Sequence, residues 1–136
     1  MTAPAVLFAM RFTAHELDDV RVRVREHSAV RGLDGDDLTD WVMAVNELAN
    51  NAVRHGSPTA ELTLVVAADR LRCQVRDQGR GFDVTRFLGR PTRPTLTASG
   101  GLGLWLVEHT AQILSITSGA DGTTVAVTPR VVQPPG

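Results

Sequence analysis

Three short runs of this chain hold side chains suited to phosphate and metal chemistry. The first is "NELANNAVRHG", residues 46–56, where Asn50 and Asn51 stand side by side in what otherwise reads as the middle of a helix. Asn competes with the helix for backbone hydrogen bonds, at roughly half a kcal/mol relative to Ala each time. Successive helical residues turn by about 100°, so Glu47, Asn50, Asn51 and Arg54 project from one face while Leu38, Trp41, Val42, Val45, Leu48, Ala49, Ala52 and Val53 fill the other. One reading is the solvated stripe that every amphipathic helix carries. The other is a metal–phosphate site. An amide oxygen is a hard ligand for Mg²⁺, which takes few protein ligands and completes its shell with waters and phosphate. A neighbouring carboxylate could then act as general base.

The second run is "DQGRGF", residues 77–82, at the end of the strand-like "LRCQVRD". Strict alternation puts Asp77 on the same face as Leu71, Cys73 and Val75. An Asp before Gly commonly caps a turn. Alternatively it is a carboxylate facing a pocket, an acceptor for an exocyclic amine such as that of adenine. Gly79 and Gly81 would then let the backbone approach a flat ligand closely. The third run, "SGGLGLWLVEHTA", places Gly100, Gly101 and Gly103 before a helix. The first N–H groups of such a helix lack intrahelical partners and favour anions, phosphate above all. The spacing is not the dinucleotide fingerprint, and no βαβ unit follows.

The elements that must position these residues can be read from the pattern. "VLFAMRF" (6–12) predicts a strand, and Thr13 with Glu16 a capping box opening a helix over about 14–31. Its Arg21 and Arg25 read as a solvated face. The apolar periodicity predicts a second helix over 36–55, stopped by Gly56 and Pro58. "TAELTLVVAADRLRCQVRD" alternates as two strands around a tight "ADR" turn, and "LSITSGADGTTVAVTP" as a hairpin around "GADG". Residues 83–99, with three Arg, two Pro and no periodicity, predict a mobile loop. The expectation is one domain over 1–130 and a frayed tail over 131–136.

Composition narrows the function classes. A hydrophobic share of 43% with 21% charged residues is ordinary for a globular chain. A net charge of −1 gives no footprint for nucleic acid or an anionic membrane. All 14 basic residues are Arg, which excludes a P-loop lysine and Schiff-base chemistry. The N-terminal run lacks a basic region followed by a long apolar core, so no signal peptide or membrane span is expected. The single Cys73 cannot form an internal disulfide, which fits a cytoplasmic location.

In order and kind, the three runs resemble the Bergerat-fold (GHKL) ATP-binding superfamily of histidine-kinase catalytic domains, gyrase-type ATPases, heat-shock chaperones and anti-sigma factor kinases. "NELANNAVRHG" is similar to its N-box, "DQGRGF" to its G1 box and "GGLGL" to its G2 box, over about residues 36–129. The likeness is greatest to stand-alone anti-sigma factor serine/threonine kinases, through the Glu four residues before the ligand Asn, the small size, and "GLW" with "GTTV". The resemblance implies a two-layer α+β sandwich, a mixed, mainly antiparallel sheet with helices on one face. It implies ATP and Mg²⁺ as cofactors, Glu47 as general base and Asn51 as the side chain holding Mg²⁺. Asp77 would bind the adenine amine, with Gly79 and Gly81 shaping the pocket. Gly101 and Gly103 would face the phosphates, Thr123 would reach adenine, and Arg54 would stand near phosphate. Residues 83–99 would be the ATP lid.

Leu102 stands where many relatives have Arg, so a phosphate contact from that position is missing. His15, His27, His55 and His109 show neither a phospho-acceptor context nor metal-ligand spacing. The implied function is phosphorylation of an anti-sigma-factor antagonist at Ser or Thr, together with sequestration of a sigma factor. Relatives of this kind are often dimers, and the surface of the first helix is the first place to look for that contact. A non-catalytic ATP-binding switch module, a simple ATPase and a split histidine-kinase catalytic domain remain open beside it.

Overall fold

The computed structural model describes residues 4–79 and 101–130, with the side chains of 101–103 excepted. In chain order the elements are β1 (Ala5–Phe12), a 3₁₀ turn (Ala14–Glu16), α1 (Leu17–Val30), α2 (Gly35–Asn51), a π-helical turn (Ala52–Gly56), β2 (Ala60–Ala67), β3 (Arg70–Asp77), α3 (Gly101–Thr110), β4 (Gln112–Gly119) and β5 (Gly122–Thr128). The strands form one sheet in the order β1-β2-β3-β5-β4. Each pairing is antiparallel, so the parallel component implied by a mixed sheet is absent among the described strands.

The sheet is clearest in β3, whose residues alternate between exposed and buried from Arg70 to Asp77. Leu71, Cys73 and Val75 face inward with Leu62 and Leu64 of β2 and Val125 and Val127 of β5. The inward face meets α2, whose Leu38, Trp41, Val42, Ala44, Val45, Leu48 and Ala49 are buried, and Val20, Val24, Leu104 and Val107 of the flanking helices complete one core. This is a two-layer α+β sandwich with the helices on one side.

The helix starts follow the expected local chemistry. Glu16 accepts a hydrogen bond from the Thr13 backbone N–H at 3.1 Å, the return half of the capping box. The first turn of that helix is 3₁₀, a tightening common at helix ends. Between α1 and α2 the buried Trp41 donates its indole N–H to Ser28 Oγ at 2.9 Å. That bond lets an indole and a hydroxyl share the core without leaving either unsatisfied. The β2–β3 connection is a two-residue turn in which Ala68 and Asp69 both take positive φ, 50° and 63°.

Candidate functional site

α2 reaches the site by a change of helix type. After Asn51 the helix widens into the π turn Ala52–Gly56, closed by Ser57 N–H donating to the Ala52 carbonyl at 2.9 Å. A regular helix to residue 55 was expected; the extra residue in the turn swings Gly56 onto the end of β3. Single π turns commonly mark functional sites.

Gly56 and Asp77 fit together because Gly56 has no side chain. A Cβ at Gly56 would overlap the Asp77 carboxyl group, and one at Gly79 would lie 2.6 Å from Gly56 Cα. Asp77 is 8% exposed, and one of its oxygens, Oδ1, accepts from the Gly79 N–H at 2.8 Å. Ser57 Oγ accepts from Gln78 N–H at 3.0 Å and donates to the Thr59 carbonyl at 2.6 Å. The strand end, the glycine step and the π turn are thereby tied into one unit. Across the ladder Asp77 pairs with Thr123, a buried residue whose hydroxyl shares a 2.8 Å hydrogen bond with Ser118 Oγ. Gly122, beside it, has φ of 122°, and a Cβ there would strike the Asp77 carbonyl.

The structure thus brings together Asp77, Gly79 and Thr123 of the expected site and adds Gly56, Ser57 and Gly122. The sequence alone does not place those three beside Asp77. Gly56 read only as a helix stop, and a close approach between segments distant in sequence leaves no local pattern. Glu47 and Asn51 lie on successive turns at the C-terminal end of α2 and are half-buried, so they are not a plain solvated stripe. Asn50 is half-buried as well, and Arg54 is exposed on the π turn. Gly101 opens α3 and Gly103 lies in its first turn, as backbone. Gly81, Gly100, the expected lid over 83–99 and the tail over 131–136 lie outside the described residues. On α3, Trp105 stacks on His109 with centroids 3.9 Å apart, and its buried indole N–H meets no acceptor among the described residues.

The residues present fit a purine nucleotide with its metal. Gly56 and Gly79 close directly against Asp77 and each other, and Asp77 Oδ2 takes no hydrogen bond among the described residues, which leaves this buried carboxylate an acceptor oxygen for a donor such as an exocyclic amine. Among those residues no three His, Cys, Asp or Glu groups gather as a metal cage. A Mg²⁺ ion would therefore need waters and phosphate oxygens to complete its shell, the ordinary arrangement for that cation. Among the described residues no helix is long and apolar enough to cross a membrane.

Comparison with known proteins agrees with this fold. A family model described as histidine kinase-like ATPase domain matches residues 10–128. Among solved structures, the RsbU and RsbW domains of Rv1364c from Mycobacterium tuberculosis match with a TM-score of 0.64 and 25% identity, over 95% of this chain and 32% of that one. The chain therefore spans about a third of that relative's length. The histidine kinase domain of a blue-light activated histidine kinase from Erythrobacter litoralis matches with a TM-score of 0.52 and 18% identity, over 85% of this chain and 63% of that one. A longer chain of the same kinase gives a TM-score of 0.54 and 19% identity, over 86% of this chain and 41% of that one. These last two likenesses show the fold.

Proposed function

This chain belongs to the histidine kinase-like ATPase domain family, and on that premise we propose that it is an ATP-binding regulatory serine/threonine kinase. Its acceptor would be an anti-sigma-factor antagonist protein, and it would hold a sigma factor by direct contact, alone or as a homodimer. The likeness to a chain containing an RsbW domain supports this choice within the family. The observation that carries the nucleotide reading is the buried Asp77 carboxylate, held by the Gly79 N–H and backed by Gly56.

ATP, when bound with Mg²⁺, supplies the phosphoryl group to be transferred. The chain's own residues do the rest. Asp77 would keep Oδ1 on Gly79 and offer Oδ2 to the adenine amine, fixing the base. Thr123, on the neighbouring strand, would reach the same ring. Asn51 would offer its amide oxygen to Mg²⁺. Glu47, one turn earlier, would orient the acceptor hydroxyl and take its proton. Gly101 and Gly103, at the start of α3, would present backbone N–H groups to phosphate oxygens, as Gly81 would help shape the base pocket and Arg54 add positive charge. Phosphoryl transfer asks little covalent work of a protein beyond positioning, charge and a base.

Calorimetric titration with ATP, with and without Mg²⁺, tests the reading together with two variants. Asp77→Asn should weaken ATP binding about 10- to 100-fold, the cost of losing a charged acceptor. Glu47→Ala should leave ATP affinity nearly unchanged and lower transfer to the antagonist by about 100-fold or more, the usual scale for a general base. Folded protein that binds no ATP would overturn the proposal. Free phosphate without a protein acceptor, or an acid-labile phosphohistidine product, would replace the serine/threonine kinase with an ATPase or a split histidine kinase.

A further inference from the structure

The face of the sheet turned away from the helices carries the observation that leads furthest. β3 alternates strictly, so Arg70, Arg72, Gln74 and Arg76 all point outward and all are exposed. Beside them in the ladder stand Val65, Thr63 and Glu61 of β2 and Ala126 and Thr124 of β5, with Ser115 and Thr117 of β4 beyond. These outward rows contain no aromatic ring. Glu61 is their single acid, and its carboxylate is bonded at 3.2 Å to Arg11 on β1, although Arg76 is its other cross-strand neighbour. Arg72 and Arg76 meet no carboxylate within ion-pair distance among the described residues.

Soluble surfaces ordinarily mix both signs of charge. The helices do so, since α1 alone exposes Asp18, Asp19, Arg21, Arg23 and Arg25. The outward row of β3 does not, since it gathers three guanidinium groups and no acid. Outward residues of a strand recur every ~6.6 Å, and an extended peptide presents its alternate side chains at the same interval.

We infer that this open sheet face is a docking surface for an acidic, extended segment of a partner protein, with carboxylates at alternate positions meeting Arg70, Arg72 and Arg76. Guanidinium groups pair with carboxylates through two parallel hydrogen bonds, which selects acidic side chains by shape as well as by charge. The half-buried small neighbours Thr63 and Thr124 leave room beside the arginines for a second backbone. A single-stranded nucleic acid fits less well, because its bases find no aromatic platform and the chain as a whole carries a net charge of −1. The surface does not use the nucleotide site, so it stands or falls independently of the kinase reading.

The test uses the intact protein and a fluorescein-labelled peptide of about twelve residues alternating Glu and Thr, a length that spans one strand with overhang. Anisotropy should show saturable binding that weakens as salt screens the charges. Arg72→Glu combined with Arg76→Glu should weaken it about ten-fold or more, whereas Arg23→Glu on exposed α1 should not, with ATP affinity equal in all three proteins. Amide shifts in the wild type, which need no variant to fold, should concentrate at Arg72, Gln74 and Arg76. Shifts elsewhere, no binding, or undiminished binding by the double variant would overturn the inference. So would tighter binding of a DNA oligonucleotide or phosphatidylserine vesicles than of the peptide, which would assign the face to polyphosphate or lipid.

Discussion

At the scale of single residues, the site depends on what Gly56 lacks. Its Cα lies against the Asp77 carboxyl group, and Gly79 lies against Gly56 in turn. Gly56→Ala would force the carboxylate off the Gly79 N–H, so ATP affinity should fall by about ten-fold or more, the value of a charged hydrogen bond. Unchanged affinity in a titration of this variant would mean that Asp77 does not hold the base. Cys73 offers a second prediction, free of the functional reading. Burial pushes its thiol far above the ordinary value of 9.0. A group whose pKa is raised on folding contributes stability that is intact below the unfolded pKa and is lost as pH rises through the window above it. The chain has no Lys and no Tyr, and Arg stays charged throughout, so Cys73 is the only side chain whose ordinary pKa lies in the range of about 8 to 11. Above pH 9 the protein should therefore lose up to about 1.4 kcal/mol of stability per pH unit relative to Cys73→Ala. Denaturant melts of both proteins from pH 8 to about 11 read the difference in slope, and equal slopes would sink the argument.

Elements show where local preference and tertiary demand disagree. The β2–β3 turn needs two residues in the left-handed region, and it has Ala68 and Asp69 rather than the favoured Asn-Gly. An L-residue with a Cβ pays on the order of 1 kcal/mol there, and Ala has no side-chain hydrogen bond to offset it. Replacing the pair by Ala68→Asn and Asp69→Gly should raise stability by about 1 kcal/mol, or roughly 3–5 °C in Tm for a chain of this size. Calorimetry that finds no gain would mean that Ala68 or Asp69 makes a compensating contact. The end of α2 shows the opposite case. A regular helix satisfies its local sequence, yet the turn widens because Gly56 must reach β3, which no propensity along "NAVRHG" encodes.

For the whole molecule, the two-layer plan decides what is available for function. The helices cover one sheet face and leave the basic one open, while the proposed nucleotide residues gather where α2 and β3 end and β5 begins. A ligand that joins those ends binds the folded chain and not the unfolded one, so it stabilises the fold by mass action. Mg–ATP at about 100 times its dissociation constant should add about 2.7 kcal/mol, and Asp77→Asn should reduce that gain. Thermal melts with and without nucleotide measure it, and an unmoved Tm would count against the site.

Local periodicity made much of this protein legible from its residues. The strict alternation of Leu71, Cys73, Val75 and Asp77 marked an inward-facing strand, Thr13 and Glu16 marked a helix start, and the apolar positions Leu38, Trp41, Val42, Val45, Leu48 and Ala49 marked the buried face of α2. Such signals survive in sequence because each arises from neighbours within a turn or two of chain. Asn51 and Asp77 could be singled out for the same reason, since an Asn inside a helix and a carboxylate on an inward strand face are locally costly choices, and Glu47 by lying one turn before Asn51 on the same helix face. The Gly56–Asp77 contact, the π turn that makes it, the Ser57 bridge to Gln78 and the Trp41–Ser28 bond were decided in three dimensions. The π turn itself is local, but the three contacts join residues 13 to 21 positions apart, and a contact at that range depends on how the sheet and helices stack rather than on the side chains nearby in the chain.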